Sequence, residues 1–103
     1  MFDLNATPDA LPIMAVLGCY AQGDTHLVNV PQARLKECDR IACMTKELRK
    51  MGADIKELAD GLIIHGKKTL HGTLVDSYED HRIAMALSIA ALGAEGVTSI
   101  KDG

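Results

Sequence analysis

Two short stretches gather the charges that could do chemistry. In LKECDRIACM, residues 35–44, Lys36, Glu37, Asp39 and Arg40 crowd one turn at the head of an apolar stripe. In EDHRIAMALSIAAL, residues 79–92, Asp80, His81 and Arg82 again precede a run of apolar and small residues. Each cluster joins carboxylates, which can take or give a proton, to a guanidinium, whose planar fork suits carboxylate and phosphate anions. Arg40 and Arg82 fall near helix N-termini, where the macrodipole opposes a cation. Neighbouring acids offset that cost, and so does a bound anion, because helix N-termini with adjacent cations are anion sites. Two such ends in one chain point to a shared anion.

Plainer roles compete for the same residues. At 100° per residue, Ile41, Met44, Leu48 and Met51 form a stripe narrower than about 100°, and Glu37 lies in its middle, flanked by Lys36 and Arg40. As a capping carboxylate Glu37 stabilises the helix by about 0.3–1 kcal/mol. Ser77 and Asp80 have the spacing of a capping box. Asp9 falls near the N-cap of another apolar helix, a role worth about 1 kcal/mol. Cys38, expected in the first turn of the charged helix, reads as a small buried hydrophobe. His26, His65 and His71 show no metal spacing and read as surface or structural groups. Lys67-Lys68 reads as a solvated loop, and no glycine-rich nucleotide loop is present.

The elements that must position these groups follow from apolar spacing and punctuation. Residues 10–22 read as a helix with Pro12 in its first turn and Gly23 as its stop. Residues 24–30 read as a strand ended by Pro31. A second helix covers 36–51, ended by Gly52. Strands at 53–58 and 62–66 meet at Asp60-Gly61, a hairpin dipeptide. A strand covers 73–75, a third helix 80–95, stopped by Gly96, and a last strand 97–101. In the third helix Ile83 and Leu87 point one way while Met85, Ile89 and Leu92 point nearly opposite, so it asks for burial all round. Shifting the chain by 73 positions lays Asp3 on Asp76, Ala21 on Ala94, Gly23 on Gly96 and Thr25 on Thr98. It also lays Asp9 on Arg82, at the same end of equivalent helices. A unit of about this length therefore recurs.

Composition bounds the function. The 103 residues suffice for one domain with a modest core, and 48% hydrophobic with 24% charged residues suits a globular chain. Aromatics at 3% and a net charge of −3 argue against a nucleic-acid-binding surface. The apolar runs 10–21 and 83–94 are too short to span a bilayer, and no signal peptide is visible. Cys19, Cys38 and Cys43 lack zinc-site pairing and read as reduced thiols of a cytoplasmic protein.

PDALPIMA (8–15), LKECDRI (35–41), ELRKMGADI (47–55), DGLIIHG (60–66) and DHRIAMALSIAAL (80–92) together resemble the 5-enolpyruvylshikimate-3-phosphate synthase family, over essentially all 103 residues. The resemblance implies an α/β (α+β) fold: part of an inside-out α/β barrel of βαβαββ repeats, with buried helices against a mixed sheet. It implies that residues 1–103 are a single-domain segment of about one and a half such units, from the C-terminal-side domain. It implies transfer of the enolpyruvyl group of phosphoenolpyruvate to the 5-hydroxyl of shikimate 3-phosphate, with no metal or organic cofactor. By matching motif, Asp9 resembles the proton acceptor beside that hydroxyl, and Gln32 and Lys36 resemble shikimate 3-phosphate contacts. Glu37 resembles the acid that protonates the methylene carbon of phosphoenolpyruvate, and Arg40 and Arg82 the pair that holds that anion. Cys38 stands where the family has Ser or Thr.

The family draws its other contacts from residues beyond this segment. The cut-strand look of Met1-Phe2-Asp3 and the end at Gly103 suit a piece of a larger repeat protein, so the isolated chain is expected to lack synthase activity. The remaining partner implied is the rest of the same enzyme, with no nucleic acid or membrane. Two other readings are a segment of UDP-N-acetylglucosamine enolpyruvyl transferase and a non-catalytic anion-binding or interaction domain.

Overall fold

The computed structural model describes residues 2–35, 38–66 and 69–101. In chain order the elements are β1 (Phe2–Asp3), a 3-10 turn (Pro8–Ala10), α1 (Leu11–Tyr20), β2 (Asp24–Val28) and a second 3-10 turn (Pro31–Leu35). There follow α2 (Arg40–Lys50), β3 (Asp54–Leu58), β4 (Gly61–His65), β5 (Leu74–Asp76), α3 (His81–Gly93) and β6 (Ser99–Lys101). Four strands form a mixed sheet in the order β1-β2-β4-β3, with β1 parallel to β2 and the other pairs antiparallel. β5 and β6 form a separate parallel pair.

The 73-residue echo has a structural counterpart. β1, α1 and β2 make one βαβ crossover, and β5, α3 and β6 make another. Phe2 pairs with Leu27 and Asp3 with Val28; Val75 pairs with Ile100 and Asp76 with Lys101. Each member of the second set is 73 positions beyond its counterpart. The helices also end alike: Ala21 and Ala94 turn extended, and Gly23 and Gly96 take positive φ of 82° and 85°.

The core lies where α1 and α2 cover the sheet. Leu27, Ile55, Leu62 and Ile64 from the strands meet Leu11, Val16, Ile41, Met44 and Leu48 from the helices, all buried. Each large aliphatic side chain so buried contributes about 1.5–3 kcal/mol. α3 packs on α1, and the Tyr20 hydroxyl donates to the Ala90 carbonyl at 2.7 Å. Ile83 and Leu87 are buried by this contact, whereas Met85 and Leu92 on the opposite face are 60% and 87% exposed. The burial all round expected of this helix is not met: α1 covers one face, and no described element covers the face of Met85, Ile89 and Leu92. Among the described residues no helix is long and apolar enough to cross a membrane.

Several boundaries shift for identifiable reasons. α2 begins at Arg40, not at residue 36, because the Asp39 carboxylate accepts the Ala42 N–H at 3.1 Å and so fixes the N-cap. Capping therefore falls to Asp39, and Cys38 precedes the helix instead of lying in its first turn. α2 ends as expected: Gly52 has φ 99°, with Gly52 N–H donating to Arg49 and Ala53 N–H to Leu48, the six-to-one closure that favours glycine. The hairpin turn is Ala59-Asp60, since Gly61 already pairs with Leu58. Gly61 is required for a different reason: a side chain there would collide with the Leu27 carbonyl of the neighbouring strand.

Candidate anion site at two helix N-termini

Asp80 is the centre of the arrangement. It caps α3 itself, its Oδ1 accepting the Arg82 N–H at 2.9 Å and the Ile83 N–H at 3.4 Å. The capping box expected from Ser77 to Asp80 is thus replaced: Ser77 contributes its carbonyl, which accepts the Asp80 N–H at 3.0 Å. The same Asp80 carboxylate grips Arg40 across the gap between α2 and α3. Arg40 Nε donates to Oδ2 at 2.8 Å and Nη2 to Oδ1 at 3.1 Å, the bidentate geometry for which guanidinium is suited. Both side chains are buried, with 3% and 0% exposure. Burial pushes the Asp80 carboxyl up, but the hydrogen bonds and charge of Arg40 and the two helix N–H groups outweigh it and hold it below its ordinary 3.8.

Asp9 reaches the same place from a third segment. It lies in the first 3-10 turn, and α1 is capped at Ala10 without a side-chain hydrogen bond, so the capping role expected for Asp9 is absent. Its Oδ1 instead accepts from Arg40 Nη1 at 2.8 Å. Its Oδ2 lies 3.9 Å from Nη2 of Arg82, and both side chains are about half exposed. Asp9, Arg40, Asp80 and Arg82 therefore share one rim, although they come from the turn before α1 and from the heads of α2 and α3. A cleft of about 110 Å³ between α1 and α3 is lined by Asp9, Arg82, Pro12, Ile13, Met85 and Ile89.

Further residues fix this rim. Arg34 Nη1 donates to Asp39 Oδ2 at 2.7 Å, while Nε and Nη2 donate to the Ala59 and Leu58 carbonyls at 2.8 and 2.7 Å. The N-cap that precedes Arg40 is so tied to the hairpin of β3 and β4. Cys38, half-buried, donates its thiol to Asp80 Oδ2 at 3.6 Å. Burial, with Cys43 and Asp80 adding to it, pushes that thiol well up, the opposite of an activated cysteine.

Of the residues singled out from the sequence, Asp9, Arg40 and Arg82 are brought together. Gln32 lies on the second 3-10 turn, its amide donating to the Asn5 carbonyl at 2.8 Å, in the loop leading to Asp9. Lys36 and Glu37, and the Lys67-Lys68 pair, lie outside the described residues. Sequence reasoning placed Asp80 in a capping box and in the cluster with Arg82 but not against Arg40, and passed over Glu47, which is buried on α2 and bonded to Asp76 and Tyr78 ahead of α3. Glu47 had a legible signal: Arg40, Met44, Glu47 and Met51 follow the i, i+4, i+7, i+11 spacing of one helix column. Among the described residues no group of three or more His, Cys, Asp or Glu is placed to hold a metal ion.

This geometry suits an anion. Two helix N-termini meet at Asp80, and the Arg82 guanidinium stands half exposed beside them. The family model for EPSP synthase (3-phosphoshikimate 1-carboxyvinyltransferase) matches residues 1–103. A 3-phosphoshikimate 1-carboxyvinyltransferase of Ruminiclostridium cellulolyticum is 62% identical over 98 residues, 95% of this chain and 23% of that protein. One of Methanocaldococcus jannaschii is 52% identical over 99 residues, 96% of this chain and 23% of its own. The solved EPSP synthase of Acinetobacter baumannii superposes with a TM-score of 0.88 at 35% identity, covering 94% of this chain and 23% of that one. The chain thus spans about a quarter of the length of the relatives it matches.

Proposed function

The chain belongs to the EPSP synthase family, and from that premise we propose that it supplies one wall of the active site of an enolpyruvyl transferase. In the proposed reaction the 5-hydroxyl oxygen of shikimate 3-phosphate bonds to C2 of phosphoenolpyruvate as a proton is added to the methylene carbon. Phosphate then leaves C2, and loss of a proton from the new methyl group restores the double bond. The observation that carries this reading is the convergence of Asp9, Arg40 and Arg82 on one rim from three separate segments.

Each residue has a role in this reading. Arg82, half exposed at the head of α3, takes the phosphoenolpyruvate anion. Arg40, locked on Asp80, presents its Nη1 edge to the same anion. Asp9 accepts the hydroxyl proton, and Glu37 supplies the proton to the methylene carbon. Gln32 and Lys36 contact shikimate 3-phosphate. The recurring strand register supports a segment of about one and a half repeat units, and the free thiols accord with the cytoplasm. The comparisons favour this reading over the aminosugar transferase.

The test is a coupled phosphate-release assay with both substrates, on the 103-residue chain and on the complete protein that contains it. The complete protein should turn over with shikimate 3-phosphate, and the chain alone should not, because the rest of the cleft is missing. Turnover by the short chain at the rate of the complete protein, or use of UDP-N-acetylglucosamine in place of shikimate 3-phosphate, refutes the reading.

A further inference from the structure

Glu47 is a buried carboxylate that none of these roles uses. It sits in the middle of α2, with a side chain at 0% exposure. An anion at such a position is tolerated only when its oxygens are satisfied, and here they are satisfied mainly from one direction. Oε1 accepts the Asp76 N–H at 2.8 Å, and Oε2 accepts the Tyr78 hydroxyl at 2.6 Å. Lys50, one turn along, completes Oε1 at 2.7 Å. The first is the last residue of β5, and the second lies in the turn that joins β5 to α3.

That turn is held in a costly shape. Tyr78 and Glu79 are consecutive non-glycine residues with φ of 55° and 57°, a left-handed conformation that persists only where surroundings impose it. Locally, the Asp76 carboxylate accepts the Tyr78 N–H at 2.7 Å. The next residue is Asp80, whose oxygens set the direction of Arg40. α2 therefore holds the turn at two points on one helix column. Arg40 grips Asp80 at its end, and Glu47, seven residues or about 10 Å along the axis, grips Asp76 and Tyr78 at its start. The Arg82 and Ile83 N–H groups hold the Asp80 carboxylate from its own helix, and Glu47 holds the segment that leads into it from α2.

We propose that Glu47 is a positioning residue: by locking the turn at 76–79 it holds Asp80, and through Asp80 the Arg40 guanidinium, at one fixed spacing from Arg82 for phosphoenolpyruvate. The inference rests on the reading of Arg40 and Arg82 as the contacts for that anion. It distinguishes Glu47 from an ordinary buried ion pair, because its loss acts on one substrate and not only on stability.

The experiment uses the complete enzyme with E47Q, Y78F and, as a control on the underlying reading, R82K. Gln keeps the shape and the Asp76 contact but removes the charge. For E47Q the KM for phosphoenolpyruvate should rise about tenfold, with the KM for shikimate 3-phosphate within about twofold and kcat within about threefold. Y78F, which removes one of the two contacts that Glu47 makes with this segment, should shift the same constant by about threefold. If E47Q does not fold, Y78F decides in the same direction. A lowered Tm with an unchanged KM for phosphoenolpyruvate, measured well below the transition, overturns the proposal and leaves Glu47 a structural residue. If R82K raises that KM while E47Q and Y78F leave it alone, only the positioning role falls. If R82K leaves it unchanged too, the anion-site reading falls with it.

Discussion

Replacing Asp80 with Asn tests the centre of the site with little change of shape. The side chains of Asp80 and Arg40 are 0% and 3% exposed, and removing one partner of a buried pair costs about 3–5 kcal/mol, because the other charge is left buried. Two features put D80N at the lower end of that range. The Asn carbonyl can still accept one hydrogen bond from Arg40, and Arg40 keeps its 2.8 Å contact with Asp9. Asn is as good an N-cap as Asp, so the cap on Arg82 and Ile83 survives. The expected loss is therefore about 3 kcal/mol, a large share of the roughly 5–15 kcal/mol of a domain this size.

D80A removes the cap as well, about 1 kcal/mol more, for a total near 4 kcal/mol. Urea unfolding followed by far-UV circular dichroism reads both variants. With a slope of about 1.5 kcal/mol/M, the D80N midpoint should fall by about 2 M. A D80N loss below about 1 kcal/mol refutes the reasoning, since it would mean that Arg40 does not depend on Asp80 for its counter-charge. Equal losses for D80N and D80A would refute the capping half.

Other perturbations separate function from stability. R82A should change unfolding free energy by less than about 0.5 kcal/mol, because a half-exposed pair at 3.9 Å contributes little, yet it should weaken phosphoenolpyruvate binding to the complete enzyme at least tenfold by calorimetry. Leu87→Ala should cost about 2–5 kcal/mol, and Leu92→Ala, on the exposed face of the same helix, should leave the 103-residue chain within about 0.5 kcal/mol. The Glu47 and Asp80 carboxyls are both held below their ordinary 4.5 and 3.8 despite burial, Glu47 by Lys50, Tyr78 and the Asp76 N–H. The unfolded chain therefore takes up protons first as pH falls, so their stabilisation is complete above about pH 5 and is lost progressively below about 4.5; E47Q should flatten the first part of that decline in urea midpoints.

How much of this was legible depended on whether a signal was local. Gly52 after Met51 read correctly as a helix stop, because a left-handed C-terminal residue is a local demand. Helical periodicity placed Ile83 and Leu87 opposite Met85 and Leu92, because it is a local count, but the burial of both faces expected from it is met on one face only. The start of α2 was misplaced by four residues, because the Asp39 cap is steadied by Arg34, which holds its other oxygen and is itself anchored on the hairpin carbonyls. Asp80 read as part of a capping box and of the cluster with Arg82, and its pairing with Arg40 did not show, because Arg40 is 40 positions away. Glu47 stood in an apolar column and could have been flagged there, but its donors on Asp76 and Tyr78 are about 30 positions distant. What the pattern of one segment could not show was which carboxylate would serve two helices.

The distribution of those carboxylates makes a last prediction about Asp9. Asp80 occupies the Nε and Nη2 edge of Arg40 from a buried position, so no ligand displaces it. Asp9 holds Nη1 and also approaches Arg82, but it is half exposed and belongs to a short turn. An incoming anion must compete with Asp9 for both guanidinium groups. If Asp9 were there only to balance charge, D9N would relieve that competition and leave nothing else changed. If it also accepts the hydroxyl proton, D9N should leave phosphoenolpyruvate affinity equal or tighter while turnover falls by about 10²–10⁴. Calorimetry and phosphate release on the complete enzyme measure the two quantities separately. Turnover within tenfold of the parent removes Asp9 from the chemistry. Weakened binding of phosphoenolpyruvate would show instead that Asp9 holds Arg40 in place for the anion rather than competing with it.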